Sequence, residues 1–303
     1  MLKFIRNIVL FIIAAMIAGE VVVRITHAVS DVPQRIIDGD GIQKYYPNQT
    51  GYSLNGEHTW LINELGWPGE LPKSYDNLVL IIGDSFVENF MNPNECHQAP
   101  LLEDRVNEYS FLETARSGVS FIEAFEIAKQ MDTLNPVKSL LYINDSDFYE
   151  SVKEISEKQD ITQLDISKSR VIHGKMKSPG IKKVLYNWKL MYYFYNRFPL
   201  NFESKKPPKK YVPKERTLKH ANEVDGLLNY IKTKYRITDK ILVFHPYSSK
   251  KLITKCEEVG FKVISLDSSN DSNSWTFDFD HHWTCYGHEQ VANQVARSLK
   301  SSH

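Results

Sequence analysis

Apolar residues come in short blocks along this chain, and Leu78-Val79-Leu80-Ile81-Ile82 is the sharpest of them. A continuous apolar run of that length, ending abruptly in Gly83-Asp84-Ser85, predicts a strand buried on both faces. Similar blocks predict strands over 108–114, 139–143, 241–244 and 261–266. Between them the period changes. Phe121, Ala124, Phe125, Ala128 and Met131 recur at three- and four-residue spacing, which predicts an amphipathic helix over 121–131. Helices are also predicted over 218–231, over 250–258 with Gly260 as its stop, and over 289–299. Short apolar strands alternating with helices imply a parallel sheet covered on both faces. No internal repeat is present.

Three stretches stand outside that alternation. The first is N-terminal: Lys3 and Arg6 precede an uninterrupted apolar run from Ile8 to Ala18, and Val21-Val22-Val23 follows after Gly19-Glu20. Residues 1–28 therefore read as a signal peptide or an uncleaved signal anchor, the anchor being favoured because no clean small-residue cleavage site follows. A span needs about 20 apolar residues, which the stretch from Asn7 to Val23 approaches only if Glu20 sits at the far interface. Lys3 and Arg6 would stay in the cytoplasm, placing residues 29–303 on the extracytoplasmic side of the inner membrane. The second stretch, 30–76, is rich in Asp, Gly, Pro and Asn and is expected to have little regular structure.

The third, 149–215, is an insertion with an aromatic centre. Val184 to Tyr195 is predicted as one helix, flanked by Lys182, Lys183 and Arg197. Two readings apply to its aromatic residues. They cap the active-site side of the core, which the all-round hydrophobicity favours, or they form a membrane-surface or glycan-binding element. Lys205-Lys206-Pro207-Pro208-Lys209-Lys210 then reads as a solvated connection with polyproline character.

The chemistry sits at strand ends. Ser85 follows the first core strand, where a hydroxyl on a strand-to-helix turn faces the ligand crevice of a wound sheet. Gly83 lets the chain turn and substrate approach, and Asp84 fixes the turn by bonding backbone N–H groups. Much later comes Asp280-His281-His282-Trp283-Thr284, followed by Gly287-His288. The two segments together supply a nucleophile, a base and an orienting carboxylate. By itself Gly-Asp-Ser is equally a polar loop after a strand.

In combination these segments resemble the SGNH/GDSL hydrolases, in particular membrane-anchored bacterial esterase or O-acyltransferase members. Gly83-Asp84-Ser85-Phe86 is similar to the first family block, with Phe in place of the commoner Leu. Ser117-Gly118-Val119-Ser120 resembles the second, whose glycine N–H joins the oxyanion hole. Tyr142-Ile143-Asn144-Asp145-Ser146-Asp147-Phe148 stands where the family has Gly-x-Asn-Asp, without the glycine, so its register is open between Asn144 and Ser146. The last block allows Asp280 with His282 or Asp278 with His281; the Trp-Thr and Gly-His context favours the first. Asn63 to Gly69 is similar to a segment that precedes the nucleophile in anchored members.

The resemblance, which covers about residues 50–300, implies a flavodoxin-like three-layer α/β/α fold. It also implies catalytic residues Ser85, His282 and Asp280, with Ser85, Gly118 and Asn144 as the oxyanion hole. No cofactor or metal is implied. The activity implied is ester hydrolysis, or transfer of an acyl group such as acetyl, on extracytoplasmic carbohydrate or related esters. A transferase would need a membrane partner to deliver its acyl donor. The alternative is a non-catalytic envelope protein that keeps the fold to bind glycans or aid assembly.

Charge and cysteines narrow this little. Lys and Arg total 37, as do Asp and Glu, so nothing global favours nucleic acid. Cys96, Cys256 and Cys285 are an odd set without metal-type spacing, so at most one disulfide forms. Cys285, beside the histidine loop, reads as a buried structural thiol. His281, His282 and His288 cluster without partners at zinc-ligand spacing.

Overall fold

The computed structural model describes residues 1–198 and 217–301. Helix α1 (Leu2–Ile25) leads into two antiparallel strand pairs, β1 (Arg35–Ile37) with β2 (Gln43–Tyr45), and β3 (Gln49–Tyr52) with β4 (Thr59–Ile62). The core starts at β5 (Leu78–Gly83), followed by α2 (Ser85–Glu88), α3 (Gln98–Glu103), β6 (Ser110–Ala115), α4 (Phe121–Met131), β7 (Lys138–Ile143) and α5 (Asp145–Glu150). A hairpin of β8 (Gln163–Asp165) and β9 (Arg170–Ile172) comes next, then α6 (Pro179–Asn187) and α7 (Lys189–Arg197). The remaining described elements are α8 (Ala221–Lys234), β10 (Lys240–Phe244), α9 (Lys250–Val259), β11 (Lys262–Ser265), α10 (Ser272–Trp275) and α11 (Cys285–Lys300).

Five strands form one parallel sheet in the order β11-β10-β7-β5-β6. Numbered by their place in the chain and read from the β6 edge, this is 2-1-3-4-5, the flavodoxin-like order. The expected three-layer fold is therefore present. All six residues of β5 are buried, and its side chains alternate between two cores. Leu78, Leu80 and Ile82 pack with α4, α8 and α9 on one face; Val79 and Ile81 pack with α3 and α11 on the other. Double coverage is why the strand reads as an unbroken apolar run rather than an alternating one. β6 and β7 flank β5 on opposite sides, so the crossovers into and out of β6 run in opposite directions along the sheet. The crevice of such a sheet opens at that switch point, beyond the carboxyl ends of the strands.

Three expectations need correction. Residues 30–76 hold the two strand pairs, each only three or four residues per strand and so too short to show alternation. Tyr45, Trp60 and Ile62 make a small core of their own against Phe90. The expected helix over 184–195 is two helices, because Trp188 takes an extended conformation (φ −97°, ψ 92°) between α6 and α7. Its aromatic side chains do not cap the core: Phe194 and Tyr195 are exposed. The basic run 205–210 lies outside the described residues. Helix α1 is long and apolar enough to cross a membrane, with a mean hydropathy of 2.5 over its best window and only 6% of that window buried.

Candidate active site

Ser85 is the first residue of α2, directly after β5. The Asp84 side chain accepts the Phe86 N–H at 3.0 Å, capping the helix and fixing the turn. Gly83 has a different job from the one its turn position suggests. A Cβ there would lie 2.5 Å from Val87 Cγ2 and 3.2 Å from Tyr142 Cβ, so the missing side chain is what lets α2 fold back onto the strand end. Ser85 is left half-buried at the rim.

The histidine loop closes over the same rim, just before α11. His282 Nε2 lies 2.8 Å from Ser85 Oγ, although 197 residues separate them in sequence. On the other side of the ring, Nδ1 bonds Asp280 Oδ1, and the same oxygen accepts the His282 N–H at 2.9 Å. Burial alone would raise the Asp280 carboxyl. The hydrogen bonds from His282 and the nearby imidazoles outweigh it and hold the group below its ordinary range, as a carboxylate. An imidazole held this way can accept a hydroxyl proton at Nε2 while the acid fixes its tautomer. Asp278 and His281, the other register, are both exposed at the surface. Donor atoms of Asp280, His281 and His282 gather within 4.8 Å, but both ring nitrogens of His282 are already engaged, by Asp280 and Ser85.

Gly118 and Asn144 follow β6 and β7. Gly118 has φ +82°, a region favouring glycine, and a Cβ there would meet only Arg116 Nη1, at 3.8 Å. The space beside the Gly118 Cα is therefore open to a small group. Asn144 caps α5, its Oδ1 accepting the Ser146 N–H at 2.9 Å and the Ser146 hydroxyl. Its Nδ2 donates to Asp84 Oδ2 at 3.4 Å. Asn144, rather than Ser146, thus faces the serine turn.

Several supporting groups had no signal in the sequence. Glu88, buried at the end of α2, accepts the Ser117 N–H at 2.7 Å as well as the Ser117 and Tyr45 hydroxyls. Arg116 donates to Ser117 O at 2.5 Å, to Gln43 O at 3.1 Å and to Glu123 at 2.7 Å. Together they brace the turn that carries Gly118. The Phe86 ring packs against His245, His282 and Trp283, with centroids 4.4, 4.8 and 5.1 Å away, and walls the imidazole from one side. His288 of the Gly-His pair is a buried strut whose Nδ1 meets Gln98 Nε2 at 3.1 Å; burial pushes it well down, so it stays neutral.

Cys285 is not the buried thiol expected. It forms a disulfide with Cys96, joining the start of α11 to the loop after α2. Asn92 Nδ2, in that loop, donates to Trp283 O at 2.9 Å. The serine segment and the histidine segment are therefore tied twice, within three residues of His282. Cys256 remains a free, buried thiol.

Burial lifts the Asp84 carboxyl from its ordinary value to about 6, against the Phe86 hydrogen bond and the nearby His282. The sign of the consequence follows by linkage. The folded state holds this proton more tightly than the unfolded chain, so between about pH 4 and pH 6 this group lowers stability as pH rises. The penalty reaches about 3 kcal/mol above that window. Asp84→Asn keeps an oxygen for the Phe86 N–H and does not ionise. Urea unfolding across that range should show D84N gaining stability relative to the parent chain as pH rises; a difference that stays constant with pH would refute the assignment.

No family model matches the sequence, and no curated protein matches it. Among solved structures, the chain is similar to a G-D-S-L family lipolytic protein from Desulfitobacterium hafniense, at 10% identity and a TM-score of 0.38, covering 73% of this chain and 98% of that one. It is similar to the psychrotrophic esterase EstA from Pseudoalteromonas sp., at 13% identity and a TM-score of 0.40, covering 75% and 98%. A G-D-S-L family member from Veillonella parvula aligns at 10% identity and a TM-score of 0.39, covering 74% and 98%.

Proposed function

We propose that this protein is an SGNH/GDSL-type acyl-transfer enzyme that works by covalent catalysis at Ser85. The observation that carries the proposal is the continuous line Ser85 Oγ, His282 Nε2, His282 Nδ1, Asp280, with 2.8 Å at its first step. In the first half-reaction His282 takes the Ser85 proton as Oγ attacks an ester carbonyl. The N–H groups of Ser85 and Gly118, with the Asn144 amide, stabilise the oxyanion. Collapse breaks the ester C–O bond, and His282 returns the proton to the departing alcohol. In the second half-reaction His282 deprotonates an incoming hydroxyl, which takes the acyl group and frees Ser85. Water as acceptor gives an esterase; a sugar hydroxyl gives an O-acyltransferase.

We propose an extracytoplasmic carbohydrate ester, most simply an acetyl ester, as the substrate; the site's setting supports the extracytoplasmic location. Helix α1 has the length and composition of an uncleaved anchor, with Lys3 and Arg6 on the cytoplasmic side. A disulfide beside the active site suits an oxidising compartment. In this reading residues 1–28 anchor the chain and residues 29–303 form the catalytic body, with 149–215 as an insertion. A transferase would need a membrane partner, because activated acyl groups are made inside the cell.

The test uses the full chain in detergent. It should hydrolyse a small aryl acetate. With an acetylated glycan and an unacetylated oligosaccharide supplied together, free acetate marks an esterase and acetylated oligosaccharide a transferase. Aryl acetate left intact by the folded protein would overturn the enzyme reading, and neither glycan product from a protein active on aryl acetate would overturn the carbohydrate substrate alone.

A further inference from the structure

Glu20 is the one acidic residue of α1, placed where an apolar span would not tolerate a bare charge. The structure gives it a purpose. Its carboxylate accepts the N–H groups of Lys189 at 3.1 Å and Leu190 at 2.7 Å, capping the start of α7. Arg24, one turn further along, pairs with Glu20 and donates to Asn187 O at 2.6 Å, the last carbonyl of α6. Leu190 packs against Gly19, close enough that a Cβ there would lie 3.1 Å from Leu190 Cδ2. The outer end of α1 therefore holds the junction between the two insertion helices.

Glu20 sets the depth of that junction. Its charge belongs outside the hydrocarbon, as do those of Lys3 and Arg6, whose flexible side chains reach the near interface, so Glu20, and with it the start of α7, falls at the far membrane interface. Trp188, Met191, Phe194, Tyr195 and Phe198 follow the i, i+3, i+4, i+7 spacing of one helical stripe. In a helix packed on a core that stripe would be inward. Here it is exposed, by 52% at Phe194 and 65% at Phe198. Lys182, Lys183 and Arg197 flank it, also exposed.

We infer that α6 and α7 form an interfacial hairpin that lies in the outer leaflet of the bilayer crossed by α1, its aromatic stripe among the lipid headgroups and upper chains. The occupant of the stripe is lipid, because α7 is docked on the outer end of the apolar helix α1, and because the basic flank complements anionic headgroups. The hairpin also orients the body. Lys189 Nζ bonds Asp31 at 2.5 Å, and the Asp31 carboxylate accepts the Tyr52 N–H at 2.9 Å in the strand pair beside the sheet. This inference rests on the anchor reading of α1.

Trp188 reports on it directly, since the other four tryptophans are 4% exposed or less. The full chain and its Trp188→Phe variant are reconstituted in phosphatidylcholine–phosphatidylglycerol vesicles, and the difference in emission is the Trp188 signal. Lipid brominated near the headgroup should quench that signal about twofold more than lipid brominated near the chain end, with little quenching by aqueous acrylamide. Retention after an alkaline wash reads the anchor separately. Retained protein whose Trp188 is quenched by acrylamide and not by bromolipid overturns the hairpin and leaves the anchor standing. Protection from both quenchers means another polypeptide covers the stripe and also overturns it. Release by the wash removes both.

Discussion

Ser85→Ala should lower kcat for aryl ester hydrolysis by at least about a thousandfold while leaving the fold intact. The serine is half-buried and its hydroxyl meets His282, so removing one oxygen costs little packing. The effect on rate is large because the residue supplies the bond that forms. His282→Ala should fall to a similar level, and the double variant should fall no further than either single one, as members of one catalytic unit do. His281→Ala is the control. That ring is stacked on His282 at 4.9 Å but is exposed, and its loss should change kcat by less than about threefold. Steady-state kinetics on the four proteins decides the register of the acid–histidine pair. A large loss in the His281 variant with little in the His282 variant would reverse it.

The second large effect is expected at the disulfide. Cys96 and Cys285 are 189 residues apart, so their bond removes a long loop from the unfolded ensemble. Chain-entropy arguments put that at about 5 kcal/mol, and native disulfides removed from folded domains cost about 2–5 kcal/mol. Replacing both by Ser should therefore lower the unfolding temperature markedly. Catalysis should suffer as well, because the bond sits three residues from His282 and joins it to the segment after Ser85. A loosened loop misplaces the imidazole, and a 1 Å error can cost about a hundredfold. The hydrogen bond from Asn92 to Trp283 O remains, so the loss should be smaller than in S85A. A double variant with unchanged unfolding and unchanged kcat would show that the cross-link holds nothing in place.

What was legible in the sequence followed from local rules. The strand β5 announced itself because both its faces are buried, and Ser85 because polar turn residues cut the run off sharply. Asp280 and His282 could be nominated because both lie in one short stretch, with the resemblance favouring their register over Asp278 and His281. The parallel sheet followed from alternation of strands and helices, with a resemblance to supply the three-layer winding.

What was not legible depended on distant partners. Nothing near Glu88 marks it as the acceptor for Ser117, because Ser117 lies on another strand end. The Cys96–Cys285 pairing could not be told from the other possible pairs by spacing. Gly83 looked like a turn glycine, yet its constraint is the approach of Val87 and Tyr142. The strand pairs of residues 35–62 were too short to show a period. The break at Trp188 has no proline or glycine to signal it, and only the docking of α6 and α7 onto Glu20 and Arg24 explains where the chain bends.

All of this turns on whether the Ser85 oxygen becomes covalently bonded during turnover. Incubating the folded full chain with a fluorophosphonate and mapping the adduct by peptide mass spectrometry asks that question without knowing the natural ester. One adduct, on Ser85, forming far more slowly in the His282→Ala variant, is the expected result. No adduct, or labelling that ignores both Ser85 and His282, would contradict it.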